Sequence, residues 1–339
     1  MKGEGIIGAA DTVTKAYIRK NEVFADAFNY FMYDGRQKIQ PEQLRELDST
    51  EIAILLNEKD TKDKTNKEKE ASEQKMVQKY RDLLKTATIT EDGEATYVLL
   101  GIENQTEVHY AMPVRNMLYD AMQYNQQVTE IAEKHKGKKG GKRQQKISTG
   151  EFLSGFYKNN KLIPVITLVL FFNPGEWDGP RSLFDMLDIS NPIFKKYAQD
   201  YKIHIISPKE ILESDLKKFS SSLREVIGCI KYSNDKNKLA AFIQDNPRMN
   251  IDISAARVIG AITNTPIHFQ KGDEQIDMCQ AIEEMIQDGK TAGKIEGKIE
   301  GKIELISQLL RLNKITMNEA SVLMHMSKEE LENKIQFFS

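Results

Sequence analysis

The chain has 339 residues, 40 % of them hydrophobic and 29 % charged, with a formal net charge of −2, a size and balance that supply a self-sufficient core. No apolar run approaches the roughly 18 residues that a membrane-spanning helix needs, and the opening "MKGEGIIGAADTVTK" lacks the apolar stretch and cleavage site of a secretory signal, so a cytoplasmic protein with no membrane insertion is expected. Two isolated cysteines and five scattered histidines exclude a disulfide framework, a thiolate zinc site and a paired-histidine metal site, and the near-neutral charge leaves any nucleic-acid contact to local patches.

From Ala16 to Tyr33 the residues Phe24, Ala27, Phe28 and Phe31 recur at helical spacing and predict an amphipathic first helix ended by Gly35. "LDSTEIAILL" reads as a short strand. The following run "NEKDTKDKTNKEKEASEQK" is charged and free of aromatics, cannot bury a core face, and reads as a loop or an exposed helix. Next come "LLKTATIT" and "ATYVLLGI", β-prone runs separated by "EDGE", in which Asp92-Gly93 is a two-residue hairpin signal. Pro113 then opens a helix whose apolar stripe is Val114, Met117, Leu118, Ala121, Met122 and Val128, expected to pack on the sheet.

"KHKGKKGGKRQQK", residues 134 to 146, is basic, glycine-rich and without a hydrophobic anchor, and predicts a loop. Its Lys138, Lys139, Lys142 and Arg143 are available to a DNA backbone, or the loop is simply solvated. "IPVITLVLFF" is apolar over strand length, the mark of a strand covered on both faces in a layered α/β sheet. Trp177, in the turn-rich "NPGEWDGPRSL", reads as a cap on the sheet edge rather than a base-stacking platform. "YKIHIIS" is a further strand, "PKEILESDLKKFSSSLREVIGCIKYS" a helix, and residues 234 to 288 are mostly helical and chemically quiet.

The tail carries a true repeat, "GKTAGKIEGKIEGKIE" from Gly289 to Glu304. On a helix this aligns rows of Gly, Lys, Ile and Glu, each unit drifting about 40° from the last. Stacked like charges and glycines of about 1 kcal/mol each disfavour an isolated helix, so the repeat needs either length or a partner to form one, and a homo-oligomer built on the repeat is the partner expected. Two short helices follow in "ITMNEASVLMHMSKEELENKI", the second opened by a Ser327–Glu330 capping box. Their outline is that of a helix-turn-helix, and the packing reading is preferred over DNA reading.

If Asp92-Gly93 are the two turn residues, every cross-strand pair sums to 185 and Asp82 faces Glu103, with Gln105 on the same face. Directly opposed residues hold their Cβ atoms about 5 Å apart. Two like charges so placed need a shared proton, a nearby Lys or Arg, or a hard cation. Magnesium suits such a site, since it accepts a few carboxylates and keeps waters and positions for phosphate oxygens. On the first helix Glu22 and Asp26 share a face at i,i+4, and either can add a third acid. The plainer alternative has Asp82 and Glu103 paired with Arg81, Lys85 or Arg115 at a sheet edge.

"RDLLKTATITEDGEATYVLLGIENQTEVHYAMPVRNMLYDAMQY" and the later "LIPVITLVLFFNPGEWDGPRSLFDML" resemble the core of the PD-(D/E)XK nuclease family transposases, also called the recombination-promoting nuclease (Rpn) family. In that family an Asp before the hairpin, a Glu-x-Gln ending its second strand and a helix beginning "MP-x-R" recur in this order; here they fall on Asp82, Glu103, Gln105 and Arg115. The resemblance covers about residues 16 to 233, and the tail is similar to the family's charged glycine repeats. It implies a restriction-endonuclease-like α/β fold, a mixed central sheet flanked by helices, with a helical C-terminal appendage. The expected organisation is a nuclease-like domain over 11–233, a helical extension over 234–288, and the repeat helix with a terminal helical hairpin over 289–339.

The same resemblance implies a metal-dependent DNA endonuclease promoting recombination, hydrolysing phosphodiester bonds with Mg2+ or Mn2+. Asp82 and Glu103 would hold the metal, Gln105 would position water, Glu22 would assist, and Arg115 would meet a phosphate at the helix start. Two departures stand out: Arg81 precedes Asp82 where the general pattern has Pro, and Gln105 replaces a Lys. Gln positions water but supplies no charge; the resembled branch carries Gln here, which implies an activity that is slow or that depends on another basic residue such as Lys85 or Arg115. The alternative is a catalytically inactive DNA-binding or assembly protein on the same fold.

Overall fold

The computed structural model describes residues 4–47, 82–91, 94–137, 147–244, 246–269 and 272–337. The strand expected after Leu47, the charged run, the Asp92-Gly93 turn and the loop residues Lys138, Lys139, Lys142 and Arg143 lie outside these.

Where the spacing predicts one helix from Ala16 to Tyr33, the chain forms two, α1 (Glu4–Ile18) and α2 (Asn21–Tyr33). The break has a tertiary cause. Lys85, 1 % exposed, donates from Nζ to the Arg19 carbonyl at 2.6 Å and to Asn21 Oδ1 at 2.5 Å, so the carbonyl at the end of α1 is satisfied by a side chain from the sheet rather than by a further helical turn. At the end of α2, Asp34 adopts the left-handed conformation and Gly35 follows at φ +83°. A Cβ on Gly35 would lie 2.6 Å from the Lys218 carbonyl oxygen, so both conformation and space demand glycine.

The strands β1 (Arg45–Glu46), β2 (Leu83–Glu91) and β3 (Glu94–Gln105) are antiparallel. The β2–β3 ladder runs from Leu83 opposite Ile102 to Glu91 opposite Glu94, the register that the turn predicts. Helix α3 (Met112–Gly137) crosses to β4 (Val165–Phe171), which pairs parallel with β3, and β5 (His204–Ile206) pairs parallel with β4. The result is a mixed five-stranded sheet in the order β1-β2-β3-β4-β5, flanked by helices. A short helix, α4 (Thr149–Ser154), lies between α3 and β4. Strand β4 is almost wholly buried, as its apolar run predicts.

Helix α3 lies on the sheet with a different face from the predicted one. Val114 and Ala121 are exposed, and Met117, Leu118, Met122 and Val128 only half-buried, whereas Met112, Asn116, Tyr119, Asp120 and Gln123 are buried. Hydrogen bonding explains the choice: the Thr167 and Tyr201 hydroxyls donate to the Asp120 carboxylate at 2.7 and 2.6 Å, and the Val165 N–H donates to the Tyr124 hydroxyl at 3.0 Å. Asp120 is thereby satisfied against the sheet, whereas the buried Asn116 amide on the same helix has no hydrogen-bond partner among the described residues. The helix also continues through Lys134, His135 and Lys136, residues predicted as loop.

After β5, the predicted long helix is a 3-10 turn (Glu213–Lys218) and then α5 (Leu223–Tyr232). The serines between them are engaged by Asp26, which accepts from the N–H and hydroxyl groups of Ser220 and Ser221. Next come α6 (Lys236–Gln244), β6 (Asn250–Asp252), α7 (Ile253–Thr263) and β7 (Gln275–Asp277), with β6 and β7 forming a two-stranded sheet not anticipated in a region read as helical. Up to Thr265, and again over Phe269–Ile276, the described residues form one compact unit.

The second unit holds α8 (Met278–Arg311), α9 (Met317–Met324) and α10 (Lys328–Phe337). The repeat is helical throughout. Ile306, Ala320 and Leu331 form its core, with Leu310, Ile315, Met317, Met324 and Ile335 around them, so the terminal helices pack back on α8 as the packing reading predicts. Capping boxes open both: Thr316 with Glu319 and Ser327 with Glu330. Among the described residues no helix is long and apolar enough to cross a membrane.

Candidate active site

Strand alternation places Glu103 and Gln105 on the side of the sheet that meets α3, and Asn104 on the side that meets α1. Glu103 lies opposite Val169 of the parallel strand β4, so it stands near the carboxyl end of two parallel strands, where open α/β sheets build their crevices. Asp82 directly precedes the first ladder pair, Leu83 and Ile102. It turns its carboxylate toward β3, and the Asn104 N–H donates to Asp82 Oδ2 at 2.9 Å. Asp82 thus meets β3 at Asn104, next to Glu103, while the paired residues begin at Leu83 and Ile102 and do not include the predicted Asp82–Glu103 pair.

Each acid has a basic partner. Glu103 is fully buried, and Arg115 Nη2 lies 3.1 Å from its Oε2, the guanidinium also resting over the Tyr119 ring at 5.6 Å. Desolvation works against the Arg115 charge, but Glu103 above all, with Tyr119 and Asp82, outweighs it and raises the guanidinium above its ordinary range. Burial first and then the Glu103 charge push the Tyr119 phenol up. Asp82 Oδ1 lies 3.1 Å from Lys15 Nζ on α1, and the same ammonium lies 2.8 Å from Asp11 Oδ2. Burial disfavours that charge too, and hydrogen bonds and charges from Asp11 and Asp82 overcome the penalty, so the Lys15 ammonium sits above the usual lysine range.

Asn104 ties these elements together on the far side. Its Nδ2 donates to Thr14 Oγ1 at 2.7 Å and to Asp11 Oδ1 at 3.2 Å. Asp11 and Lys15 are the site residues that the sequence reading missed. Their signal was an i,i+4 acid–base pair one turn before the apolar periodicity begins at Ala16.

The remaining candidates divide. Gln105 is half-buried on the Glu103 face. Arg115 is present, bound to Glu103. Lys85 pairs with Leu100, so it faces α1 and α2, away from Glu103; burial lowers its pKa. Glu22 is exposed and lines a recess of about 430 Å³ with Ser220, Ser221, Arg248 and Asp252, a lining that includes neither Asp82 nor Glu103. Asp26, fully buried, is committed to Ser220 and Ser221. Trp177 is buried, edge-on to Phe171 at the end of β4 with ring centroids 5.2 Å apart, in a core cluster with Met112, Val169 and Ile203 rather than on an edge strand.

For a divalent cation the donor chemistry is right in kind: two carboxylates and an amide, all oxygen, the set that Mg2+ takes while keeping most of its waters. Among the described residues no group of three or more His, Cys, Asp or Glu side chains is placed to hold a metal ion. Asp11, Asp82 and Glu103 against Lys15 and Arg115 leave this cluster one negative charge, and a divalent ion would make it net positive and receptive to phosphate. Glu103 is fully buried, and the side chain of its partner Arg115 is 26 % exposed. No family model, curated protein or solved structure matches this chain.

Proposed function

We propose that this chain is a restriction-endonuclease-like DNA endonuclease that hydrolyses phosphodiester bonds with Mg2+ or Mn2+, of the recombination-promoting kind that its motifs resemble. The observation that carries the reading is the convergence of Asp82 and Glu103 on one strand end, with Gln105 beside them and two basic side chains against them. Asp82 and Glu103 would hold the ion, which when bound supplies an activated water and offsets the charge of phosphodiester cleavage. Gln105 orients the attacking water with its amide. Arg115, in the first turn of α3, serves phosphate binding with its guanidinium. The repeat helix α8 carries self-association, its glycine row at Gly293, Gly297 and Gly301 standing open, with nothing within 4 Å of an added Cβ.

The test is incubation of purified protein with supercoiled plasmid and Mg2+ or Mn2+. Nicking or linearisation is expected, and loss by at least about a hundredfold in Asp82→Ala and Glu103→Ala, since such variants remove a metal ligand. Cleavage unchanged in both would remove the assignment.

One observation favours a second reading, a catalytically silent DNA-binding or assembly protein: both acids are already neutralised by the protein's own cations. Calorimetry separates the two. Retained DNA binding without Mg2+ or Mn2+ heat selects the silent protein.

A further inference from the structure

We propose that Lys15 and Arg115 are the phosphate-binding cations of this site, held in reserve by Asp82 and Glu103 until a divalent ion takes their place. The inference rests on the nuclease reading and names the source of the charge that Gln105 lacks. Of the basic residues near the hairpin, Lys85 is excluded by its hydrogen bonds to the Arg19 carbonyl and Asn21. Lys15 reaches Asp82 from α1 and Arg115 reaches Glu103 from α3, so the two cations approach the pair of acids from opposite layers.

The Lys15 side chain is 42 % exposed and that of Arg115 26 %, so each has solvent into which it can swing. An ammonium or guanidinium and a divalent ion compete for the same carboxylate oxygens, and the ion has the greater charge. A cation displaced from its carboxylate becomes available to an anion nearby. Metal and phosphate therefore bind with positive coupling, and by linkage each strengthens the other by the same factor.

Two measurements on the full chain test this: calorimetric titration with Mg2+ alone, and fluorescence anisotropy of a short labelled duplex in EDTA or Mg2+ at fixed ionic strength, with Ca2+ in place of Mg2+ where the duplex is cut during the measurement. In the unaltered protein the divalent ion tightens duplex binding about tenfold. Lys15→Met and Arg115→Met are expected to shift the two readouts in opposite directions, each binding Mg2+ up to about tenfold tighter, because a competitor is gone, while losing most of the metal-driven gain in DNA affinity. Lys15→Arg restores that gain, which a merely structural role would not require. If Lys15→Met leaves both quantities unchanged or weakens both, while Asp82→Asn abolishes the Mg2+ heat, the reserve role is overturned and the nuclease reading stands. Absence of Mg2+ heat in the unaltered protein overturns both.

Discussion

Asp26 and Ser221 are joined twice: one carboxylate oxygen of Asp26 accepts the Ser221 N–H at 2.9 Å and its hydroxyl at 2.6 Å, while the other oxygen holds Ser220 in the same way. A buried acid on α2 thus anchors the loop that launches α5, far along the chain. Asp26→Ala would leave two N–H groups and two hydroxyls without their acceptor, at a cost of roughly 3–5 kcal/mol. Urea unfolding followed by circular dichroism should show that loss. Mg2+ titration of the folded fraction should be unaffected; a lost metal heat at intact fold would place Asp26 in the site instead.

Lys85→Met should separate structure from chemistry. The variant keeps the length of the side chain but removes the donor that satisfies Arg19 and Asn21, for a loss of about 1–3 kcal/mol. Plasmid cleavage per folded molecule should be unchanged. Cleavage lost at an unchanged melting temperature would make Lys85 the cation that compensates for Gln105.

Asp252 sets an acid limit on stability. Desolvation opposes its charge, but Lys20 at 2.7 Å, the Ser254 and Ser222 hydroxyls and the Ala255 N–H hold the carboxyl down to about 2. A folded value below the ordinary 3.8 means that the stabilisation is complete above pH 4 and is lost as pH falls toward 2. Asp252→Asn should cost about 2 kcal/mol at neutral pH and flatten the stability–pH curve between those limits. An unaltered acid limb would contradict it.

Deleting residues 289–339 should lower the oligomeric mass measured by light scattering. Replacing Gly293, Gly297 and Gly301 by Ala should raise helix content, each by about 1 kcal/mol, since no Cβ meets a neighbour. An unchanged mass after the deletion would remove self-association through the repeat.

What could be read from the sequence follows which interactions are local. Asp92-Gly93 announces the β2–β3 register because a two-residue turn leaves no freedom in pairing, and the apolar run of β4 announces burial on both faces. The break at Arg19 and Lys20 was invisible because its cause, Lys85, lies 66 residues away. The buried face of α3 was misread because Asp120 looks like surface until Thr167 and Tyr201 are known to meet it. Asp11 and Lys15 fell outside the apolar periodicity and gained meaning only when α1 was found against the end of β3.

The β2–β3 hairpin behaves as a ruler with only two readings. Glu103 and Asn104 are neighbours pointing to opposite layers, one toward Arg115 and the other toward Thr14. Inserting one residue into β3 between the turn and Glu103 would move the carboxylate to the place of Asn104 beside Asp11 and bring Ile102 into the place that meets Arg115. A length change of one in these strands thus rewrites which functional group faces α3, whereas the same change in the connection after α3 would leave that choice untouched.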